Sequence, residues 1–469
     1  MLHLQPKKLP GVLESVLVLL GIIALISFFI IVLQSAPHIP ILLGIIVMLA
    51  YGFLKKMSFS ELQNGMIQGA QSGMAAVLLF FLIGVLIASW MASGTIPVLM
   101  NASFLIAGGP WFYAITFSIT AVVGIALGSS FTTAATVGVA MMGVAQSTDI
   151  SLAITAGAVV SGAFFGDKMS PLSDTTNLAS TVVKVDLFEH IKNMAWTTVP
   201  AFVISFILFA VLSPARSSTG SELSSFQQGL LDSNLMHWSS WIPLIILILL
   251  TISKQPAFIS LTITSLTATI IAGLRGVLPW GELWGTWFNG YTAETNHQAV
   301  NDLLTRGGMN SMLFTVSLVL LALALGGLFF ATGVIPAILE KIKGALKSAR
   351  SITISTAITA IGVNIAVGEQ YLSILLTGEA YQPIYEKAHL AKKNLSRTLE
   401  DAGTVINPLV PWSVCGVFLS GVLGVPVLDY LPFAFFCLLS PILTMLFGLT
   451  GKTLTHTAFT SSKSFKNAN

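Results

Sequence analysis

The chain has 469 residues, of which 54% are hydrophobic and only 9% are charged, with a formal net charge of +3. Soluble domains carry roughly 25% charged residues, so this composition excludes an ordinary soluble globular protein. Its 40 glycines and 19 prolines fall inside long apolar runs, where breaks in membrane helices occur. The composition predicts an all-α polytopic membrane protein.

Long apolar stretches predict the membrane helices. The first, Val12–Leu33, spans about 22 residues and exceeds the apolar core of a signal peptide, so it predicts a membrane helix. The other predicted spans, in chain order, are Ile39–Leu54, Met74–Ala92, Ile154–Phe165 with its continuation past Ser173, Met194–Leu212, Trp241–Ile252, Phe258–Leu274, Met312–Ala331, the stretch leading into Trp412–Leu423, and Leu428–Leu449. Two further stretches, Trp111–Ala145 and Ile352–Tyr385, each have two apolar arms around a polar tripeptide, which is typical of a re-entrant hairpin.

Segments of the first half recur in the second half in the same order. The first hairpin tip, GSSFTT at residues 128–133, matches GEQYLS at residues 368–373, and Gly166–Leu172 matches Gly403–Leu409. The predicted organisation is an N-terminal segment with the first membrane helix over 1–38, a first repeat over 39–213, a linker over 214–238, a second repeat over 239–449 and a tail over 450–469. Each repeat is predicted to contain one re-entrant hairpin and one broken helix.

The basic residues predict the orientation of these repeats, because Lys and Arg accumulate on the cytoplasmic side. The loop with Lys55 and Lys56 corresponds to one that holds only Arg275, whereas the uncharged Ser93–Pro110 corresponds to the basic Thr332–Ser351. The repeats are therefore predicted to be inverted in the membrane, with the N-terminus in the cytoplasm. This topology places Lys56, Lys347 and Lys393 inside and Arg275 and Arg306 outside. Inverted repeats are a transporter architecture, and a channel or an intramembrane enzyme is the competing interpretation.

The segment Gly166–Asn177 (GDKMSPLSDTTN) interrupts an apolar helix with charged residues and a proline. Such charges are costly in a membrane and persist where they pair or meet ions. Pro171 disfavours helix at Ser170, and the unwound chain would free carbonyl oxygens, which are good ligands for Na⁺. We predict an ion- and proton-binding site made of Asp167, Asp174, Ser170, Ser130, Thr133 and, at the second hairpin tip, Glu369, with Asp167 and Asp174 as the carboxylates that hold the metal ion.

Asp174 also begins the next half-helix, whose positive dipole end attracts an anion. The alternative is that Asp167 and Lys168 form a structural ion pair and that Ser173 or Asp174 only caps a helix. The corresponding segment of the second half, Glu400–Ser413 (EDAGTVINPLVPWS), has two prolines and is also predicted to break a helix. The alternative for its carboxylates, Glu400 and Asp401, is a position at the cytoplasmic surface beside Arg397, in a solvated pair that contributes little. The predicted substrate-binding residues are Lys168, Thr175, Asn177, Gln370, Thr404, Asn407 and Ser413.

The sequences at both breaks carry a family resemblance. Gly166–Ala179 (GDKMSPLSDTTNLA) looks like the signature of the NhaC family of Na⁺/H⁺ antiporters, and Leu395–Thr404 (LSRTLEDAGT) is similar to its second-half signature. The resemblance covers most of the chain. It implies a fold of inverted repeats with paired hairpins, and exchange of cytoplasmic Na⁺ for external H⁺ in a bacterial inner membrane. The family also includes a malate/Na⁺-lactate exchanger with similar motifs, so the resemblance fixes coupling to Na⁺ and H⁺ more firmly than the substrate.

Two functions therefore stay open. One is Na⁺/H⁺ antiport, with Li⁺ as a further candidate cation, and the other is Na⁺- and H⁺-coupled transport of small carboxylates. A carboxylate carrier needs a cationic or amide-rich pocket, for which Lys168, Asn177 and Asn407 are available, whereas a cation exchanger needs only oxygen ligands. No Walker A motif or Rossmann glycine pattern occurs, so an ion gradient is the predicted energy source. We expect no enzymatic reaction, no cofactor and no nucleic-acid partner; a homodimer is compatible by analogy with such folds.

Overall fold

The computed structural model describes residues 9–107, 110–148, 150–214, 228–295, 297–343 and 348–456. Within those ranges the regular elements are helices, and two isolated β-bridges are the only strand-like contacts. The predicted all-α class is therefore confirmed.

The helices follow one another with short connections. In the first half they are α1 (Val12–Ser27), α2 (His38–Leu54), α3 (Phe59–Ser72), α4 (Met74–Ala92), α5 (Thr95–Ala107), α6 (Phe112–Leu127), α7 (Ser130–Thr133), α8 (Val139–Gln146), α9 (Leu152–Met169), α10 (Asp174–Val183) and α11 (Leu187–Leu212). In the second half they are α12 (Ile242–Ile252), α13 (Ala257–Leu274), α14 (Trp280–Asn289), α15 (Gln298–Leu304), α16 (Leu313–Ala331), α17 (Val334–Lys343), α18 (Ala349–Val367), α19 (Gln370–Lys387), α20 (Lys392–Leu399), α21 (Val414–Leu423), α22 (Val427–Tyr430) and α23 (Phe435–Thr450). Wider π-helical turns lie at Phe28–Val32, Ala134–Gly138 and Glu400–Thr404, and 3-10 turns at Trp238–Trp241, Met309–Met312, Asn407–Leu409 and Leu431–Phe433.

Among the described residues, six helical segments are long and apolar enough to cross a membrane: Val12–Val32, Met74–Ala92, Leu187–Leu212, Ala257–Leu274, Met309–Ala331 and Ala349–Val367. Two more meet the same criterion as bent pairs, Lys392–Leu409 with Val414–Leu423 at 47° and Val427–Phe433 with Phe435–Thr450 at 58°. Only 17% of the first segment is buried inside the protein, which leaves its apolar side chains to face lipid. The chain is a multi-pass membrane protein.

Both predicted hairpins are present as pairs of helices joined by a polar tip. In the first, α6 ends at Gly128 with φ +62°, and the Ser129 hydroxyl accepts a hydrogen bond from the Thr132 amide at 3.3 Å. In the second, α18 ends at Gly368 with φ +73°, and the Glu369 carboxylate accepts from the Leu372 amide at 2.7 Å. Glycine is required at both turns because a side chain strains the left-handed backbone. The tips therefore have the same construction, with different capping side chains.

The two halves pack reciprocally. Helices α2 and α3 of the first half lie against α16 of the second, while α13 and α14 of the second half lie against α4 of the first. A Cβ atom at Gly69 would come within 2.2 Å of the Leu323 carbonyl oxygen, so only glycine permits the close approach of α3 to α16. This interlocked packing agrees with a repeated architecture. The inversion of the repeats relative to the membrane stays a prediction.

The helix boundaries differ from the predicted ones at α11. This helix begins at Leu187, not Met194, and the Asp186 side chain caps it by accepting from the Phe188 and Glu189 amides. The predicted span omits residues 187–193, which include Glu189, His190 and Lys192. His190 and Asn193 are instead buried in contacts with the second half. Most of the predicted linker (215–227), Lys347 and residues 457–469 of the tail lie outside the described residues.

Candidate functional site

The first helix break has the position that Pro171 predicts. Helix α9 ends at Met169, and α10 begins at Asp174 with Ser173 as its N-cap. The Asn177 side-chain amide donates to the carbonyl oxygens of Pro171, at 3.1 Å, and of Ser173, at 2.7 Å. Two of the carbonyl groups that the break frees are therefore satisfied by α10 itself, so Asn177 holds the shape of the break.

Asp167 joins this break to the first hairpin tip. Its side chain is 5% exposed, and Oδ2 accepts hydrogen bonds from the Ser130 hydroxyl at 2.7 Å and the Ser130 amide at 3.3 Å. No Lys, Arg or His of the described ranges forms an ion pair with it. A buried carboxylate without a cationic neighbour is stabilised by a proton or a bound cation.

Asp167 lines a cavity of about 840 Å³ in which both hairpin tips meet the first break. Two further carboxylates, Asp174 and Glu369, line the same cavity. Its other polar lining residues are Ser72, Ser129, Ser130, Thr132, Thr175, Asn177, Thr251, Lys254, Gln255, Ser260, Gln370 and Tyr371. Six predicted site residues beside Asp167 are thus brought together: Asp174, Ser130, Glu369, Thr175, Asn177 and Gln370.

Lys168 lies apart from this cavity, although it directly follows Asp167. Its ammonium group donates to Asp401 Oδ1, and both side chains are fully buried. The Thr197 hydroxyl donates to the same oxygen at 3.1 Å. The pair joins the last turn of α9 to the second interrupted helix, so the predicted partner, Asp167, is not the one that Lys168 binds. Full burial of Glu400, Asp401 and Arg397 excludes the surface alternative for these residues.

The predicted residues of the second break do not line the cavity. The Asn407 side-chain amide donates to Asn364 Oδ1 at 2.5 Å, and its oxygen accepts from the Cys415 amide at 2.8 Å. Ser413 caps α21 by accepting from the Gly416 amide at 3.0 Å, and its hydroxyl donates to the Asn407 carbonyl oxygen at 2.5 Å. Asn407 and Ser413 therefore hold the break together. Thr404 is fully buried in the π-helical turn Glu400–Thr404.

Two predicted hydroxyl ligands are likewise engaged by the backbone. Ser170 donates to the Ile125 carbonyl oxygen at 2.8 Å, and Thr133 donates to the Ser129 carbonyl oxygen at 2.8 Å. Neither residue lines the cavity. Ser130 is thus the tip hydroxyl that reaches a carboxylate.

Sequence reasoning missed the buried charged face of α20 and the turn after it. Arg397, Glu400 and Asp401 are spaced by three and four residues and therefore share one face of a helix. That spacing was the available signal, but the surface alternative placed Glu400 and Asp401 in a solvated pair beside Arg397. Lys254 and Tyr371 also line the cavity, and the sequence did not predict this.

Within the described part of the chain, no group of three His, Cys, Asp or Glu side chains is arranged to hold a metal ion. A cation held by Asp167 and Asp174 would need hydroxyl or carbonyl oxygens as its remaining ligands. The two carboxylates remain a predicted ion site, and Na⁺ would be cargo there, not a resident cofactor.

Two interrupted helices, and a carboxylate-lined cavity where both hairpin tips meet the first of them, define a transporter of the ion-coupled class. A sequence model of the Na⁺/H⁺ antiporter family matches residues 162–452. The chain is 42% identical to the Na⁺/H⁺ antiporter NhaC of Alkalihalophilus pseudofirmus, over 93% of this chain and 95% of that protein. It belongs to the Na⁺/H⁺ antiporter family, as the resemblance of its two motifs predicts.

Other relatives have different names. The arginine/ornithine antiporter ArcD of Halobacterium salinarum is 36% identical over 95% of this chain and 93% of its own length. The malate-2H⁺/Na⁺-lactate antiporter of Bacillus subtilis is 32% identical over 98% of this chain and 99% of its own length. Family membership alone therefore does not specify the cargo.

Proposed function

We propose that the protein is a secondary antiporter that exchanges cytoplasmic Na⁺ for external H⁺ across a bacterial inner membrane. The observation that carries this proposal is the cavity where Asp167, Asp174 and Glu369 meet. Three carboxylates in one cavity attract cations, and Asp167 is buried without an ion-pair partner among the described residues.

Exchange follows from competition at Asp167. A proton on the carboxylate removes the charge that holds Na⁺, and bound Na⁺ disfavours protonation by the same factor. Ser130 supports both states, because its hydroxyl can donate to the carboxylate or rotate to offer its oxygen to the ion. Since one site accepts either cation, its alternating exposure to the two sides yields antiport.

The cavity reaches an exposed part of the chain. It extends to Lys254, Gln255 and Pro256, which form the connection between α12 and α13. The distribution of basic residues predicts this connection to be cytoplasmic. Under the proposed topology the cavity faces the cytoplasm, and exposure to the other side requires movement of the hairpin tips relative to the break.

A contact between loops is consistent with the proposed inversion of the repeats. The Arg275 guanidinium group donates to the carbonyl oxygens of Ser93, at 3.1 Å, and Leu235, at 3.0 Å. Arg275 and the loop after Ser93 are both predicted to be external, and they belong to opposite halves. Their contact is what inverted repeats require.

The second candidate is Na⁺- and H⁺-coupled transport of small carboxylates. A volume of about 840 Å³ exceeds the space that one ion needs and leaves room for an organic solute. The charge of the lining favours cation exchange, however. Lys168 and Asn407, two groups suited to a carboxylate, are engaged in other contacts, and Lys254 is the only Lys or Arg among the cavity-lining residues.

Transport by everted membrane vesicles tests the proposal. With a proton gradient imposed, Na⁺ should collapse the gradient, and Li⁺ should do so as a competing cation, while K⁺ should have no effect. Malate and lactate, added separately without Na⁺ and then with it, should leave the response unchanged. A response that requires malate or lactate would establish the second candidate instead.

A further inference from the structure

The second interrupted helix contains a buried group of oxygens that the cavity does not use. Helix α20 continues into the five-residue π-helical turn Glu400–Thr404 before the break. Glu400, Asp401 and Thr404 have no exposed surface. None of them lines the cavity around Asp167.

Four side-chain oxygens in this turn lack a hydrogen-bond partner among the described residues. They are both carboxylate oxygens of Glu400, Oδ2 of Asp401 and the hydroxyl oxygen of Thr404. Thr404 faces Glu400 closely enough to act on its carboxyl group, but the pair does not reach hydrogen-bond geometry. Buried oxygens without donors are strongly unfavourable unless a ligand satisfies them.

The charges around Glu400 come from both halves. Helix α9 contributes Asp167 and Lys168, and the turn itself contributes Asp401. Arg397, in the helix before the turn, is influenced by Asp401 and by Tyr385 of α19. Lys168 and Asp401 form an ion pair, while Glu400 and Arg397 are both fully buried without an ion-pair partner among the described residues. Glu400 is consequently an unpaired acid whose charge a proton or another monovalent cation can balance.

Oxygen ligands identify the class of that cation. Carboxylate and hydroxyl oxygens suit a hard monovalent ion such as Na⁺, and the lone pairs of Glu400 suit a proton. Occupancy by either ion leaves the same net charge in the turn, so one can replace the other without creating a new buried charge.

We propose that the Glu400–Thr404 turn is a second monovalent-cation site, where the carboxylate of Glu400, the Thr404 hydroxyl and Asp401 Oδ2 bind Na⁺ or a proton in alternation. This rests on the proposed Na⁺/H⁺ exchange and deepens it, because the protein then handles more than one cation in each cycle. The two sites are linked through the chain: Asp167 precedes Lys168, Lys168 binds Asp401, and Asp401 follows Glu400.

The test uses the purified full chain in lipid nanodiscs, at alkaline pH and constant ionic strength, with NaCl compared against choline chloride. In an Asp167→Asn background, Na⁺ should still raise the melting temperature, because the second site remains. Adding Glu400→Gln or Thr404→Val should abolish that rise, and adding Thr404→Ser should preserve it. Thr404→Val keeps the shape and removes only an unpartnered hydroxyl, so in choline this variant should melt no lower than its parent.

A Na⁺ response that disappears with Asp167→Asn alone, or that survives Thr404→Val, would overturn the second site. Radioactive Na⁺ binding gives an independent readout, with two ions bound per wild-type chain and one after either Asp167→Asn or Glu400→Gln. A wild-type count of one that Glu400→Gln leaves unchanged would also reject the inference while preserving the antiport at Asp167. A wild-type count of zero would instead reject the proposed function, so the two failures are distinguishable.

Discussion

Lys168 binds Asp401, and this buried ion pair joins the two interrupted helices of the protein. The preceding residue, Asp167, points to a different side of α9 and faces the cavity. One turn of helix thus carries both a cavity-lining carboxylate and a buried ion pair. Any movement of the first break relative to the second acts on both groups, which makes this turn the physical link between the halves.

The Lys168–Asp401 pair predicts strongly non-additive stability effects. Lys168→Met or Asp401→Asn alone leaves one buried charge without a partner and should cost about 3–5 kcal/mol of unfolding free energy. The double variant removes both charges and should recover much of that loss. Unfolding in detergent, followed by circular dichroism, measures the difference; additive losses would contradict the direct pairing.

Asp167→Asn should abolish Na⁺/H⁺ exchange while the folded protein remains in the membrane. The amide has nearly the same shape, but it cannot balance a cation or carry the proton. Exchange by everted vesicles across a range of pH values is the measurement, with membrane content of the variant as the control. Activity near that of the wild type would transfer the role to Asp174 or Glu369.

Ser130 and Thr133 provide a matched pair at the first tip. Ser130→Ala removes a hydroxyl that contacts Asp167, whereas Thr133→Val removes one that contacts only the Ser129 carbonyl oxygen. A hydrogen bond to a charged group contributes about 1.5–3 kcal/mol, so Ser130→Ala should weaken apparent Na⁺ affinity roughly tenfold or more. Thr133→Val should change it little. If the two variants weaken the apparent Na⁺ affinity equally, the contact between Ser130 and Asp167 has no special role in Na⁺ binding.

Cysteine labelling tests the inverted topology. Cys415 and Cys437 are both buried and should not react with an impermeant maleimide, so single cysteines can be introduced directly. Lys56→Cys and Lys393→Cys should label from the cytoplasmic side, and Arg306→Cys from the outside. Labelling of Lys56→Cys and Arg306→Cys from the same side would be incompatible with the prediction.

Local sequence signals predicted the all-α membrane class of the protein, the two hairpin tips and the first helix break. Pro171 and the left-handed glycines act on the residues next to them, so their effects follow from the sequence alone. The pairing of Lys168 with Asp401 could not be predicted in this way, because 233 residues separate the two. It depends on the reciprocal packing of the halves, as does the bond between Asn407 and Asn364.

The candidate site was predicted in part for the same reason. Asp167, Asp174 and Glu369 were identified because ionisable groups are costly in a membrane, and they do share one cavity. The burial of Glu400 and Arg397 was missed, since the surface alternative placed Glu400 in a solvated pair beside Arg397. Whether a polar residue lines a cavity or stabilises a break depends on tertiary contacts, as Ser170 and Ser413 illustrate.

The pH dependence of Na⁺ binding tests the central claim most directly. If Na⁺ and one proton compete for Asp167, apparent Na⁺ affinity should fall about tenfold for each pH unit in the acidic range, where the carboxylate is protonated, and level off at alkaline pH. Calorimetric titration of the purified wild-type protein with Na⁺, repeated from acidic to alkaline pH, covers both the sloping and the level range of the affinity. Asp167→Asn is the control. The account predicts this slope for the wild type and the loss of the Asp167 contribution in the variant, which keeps only the binding by the Glu400–Thr404 turn. Na⁺ affinity that stays constant over the whole range would contradict a shared site and require separate paths for the two ions.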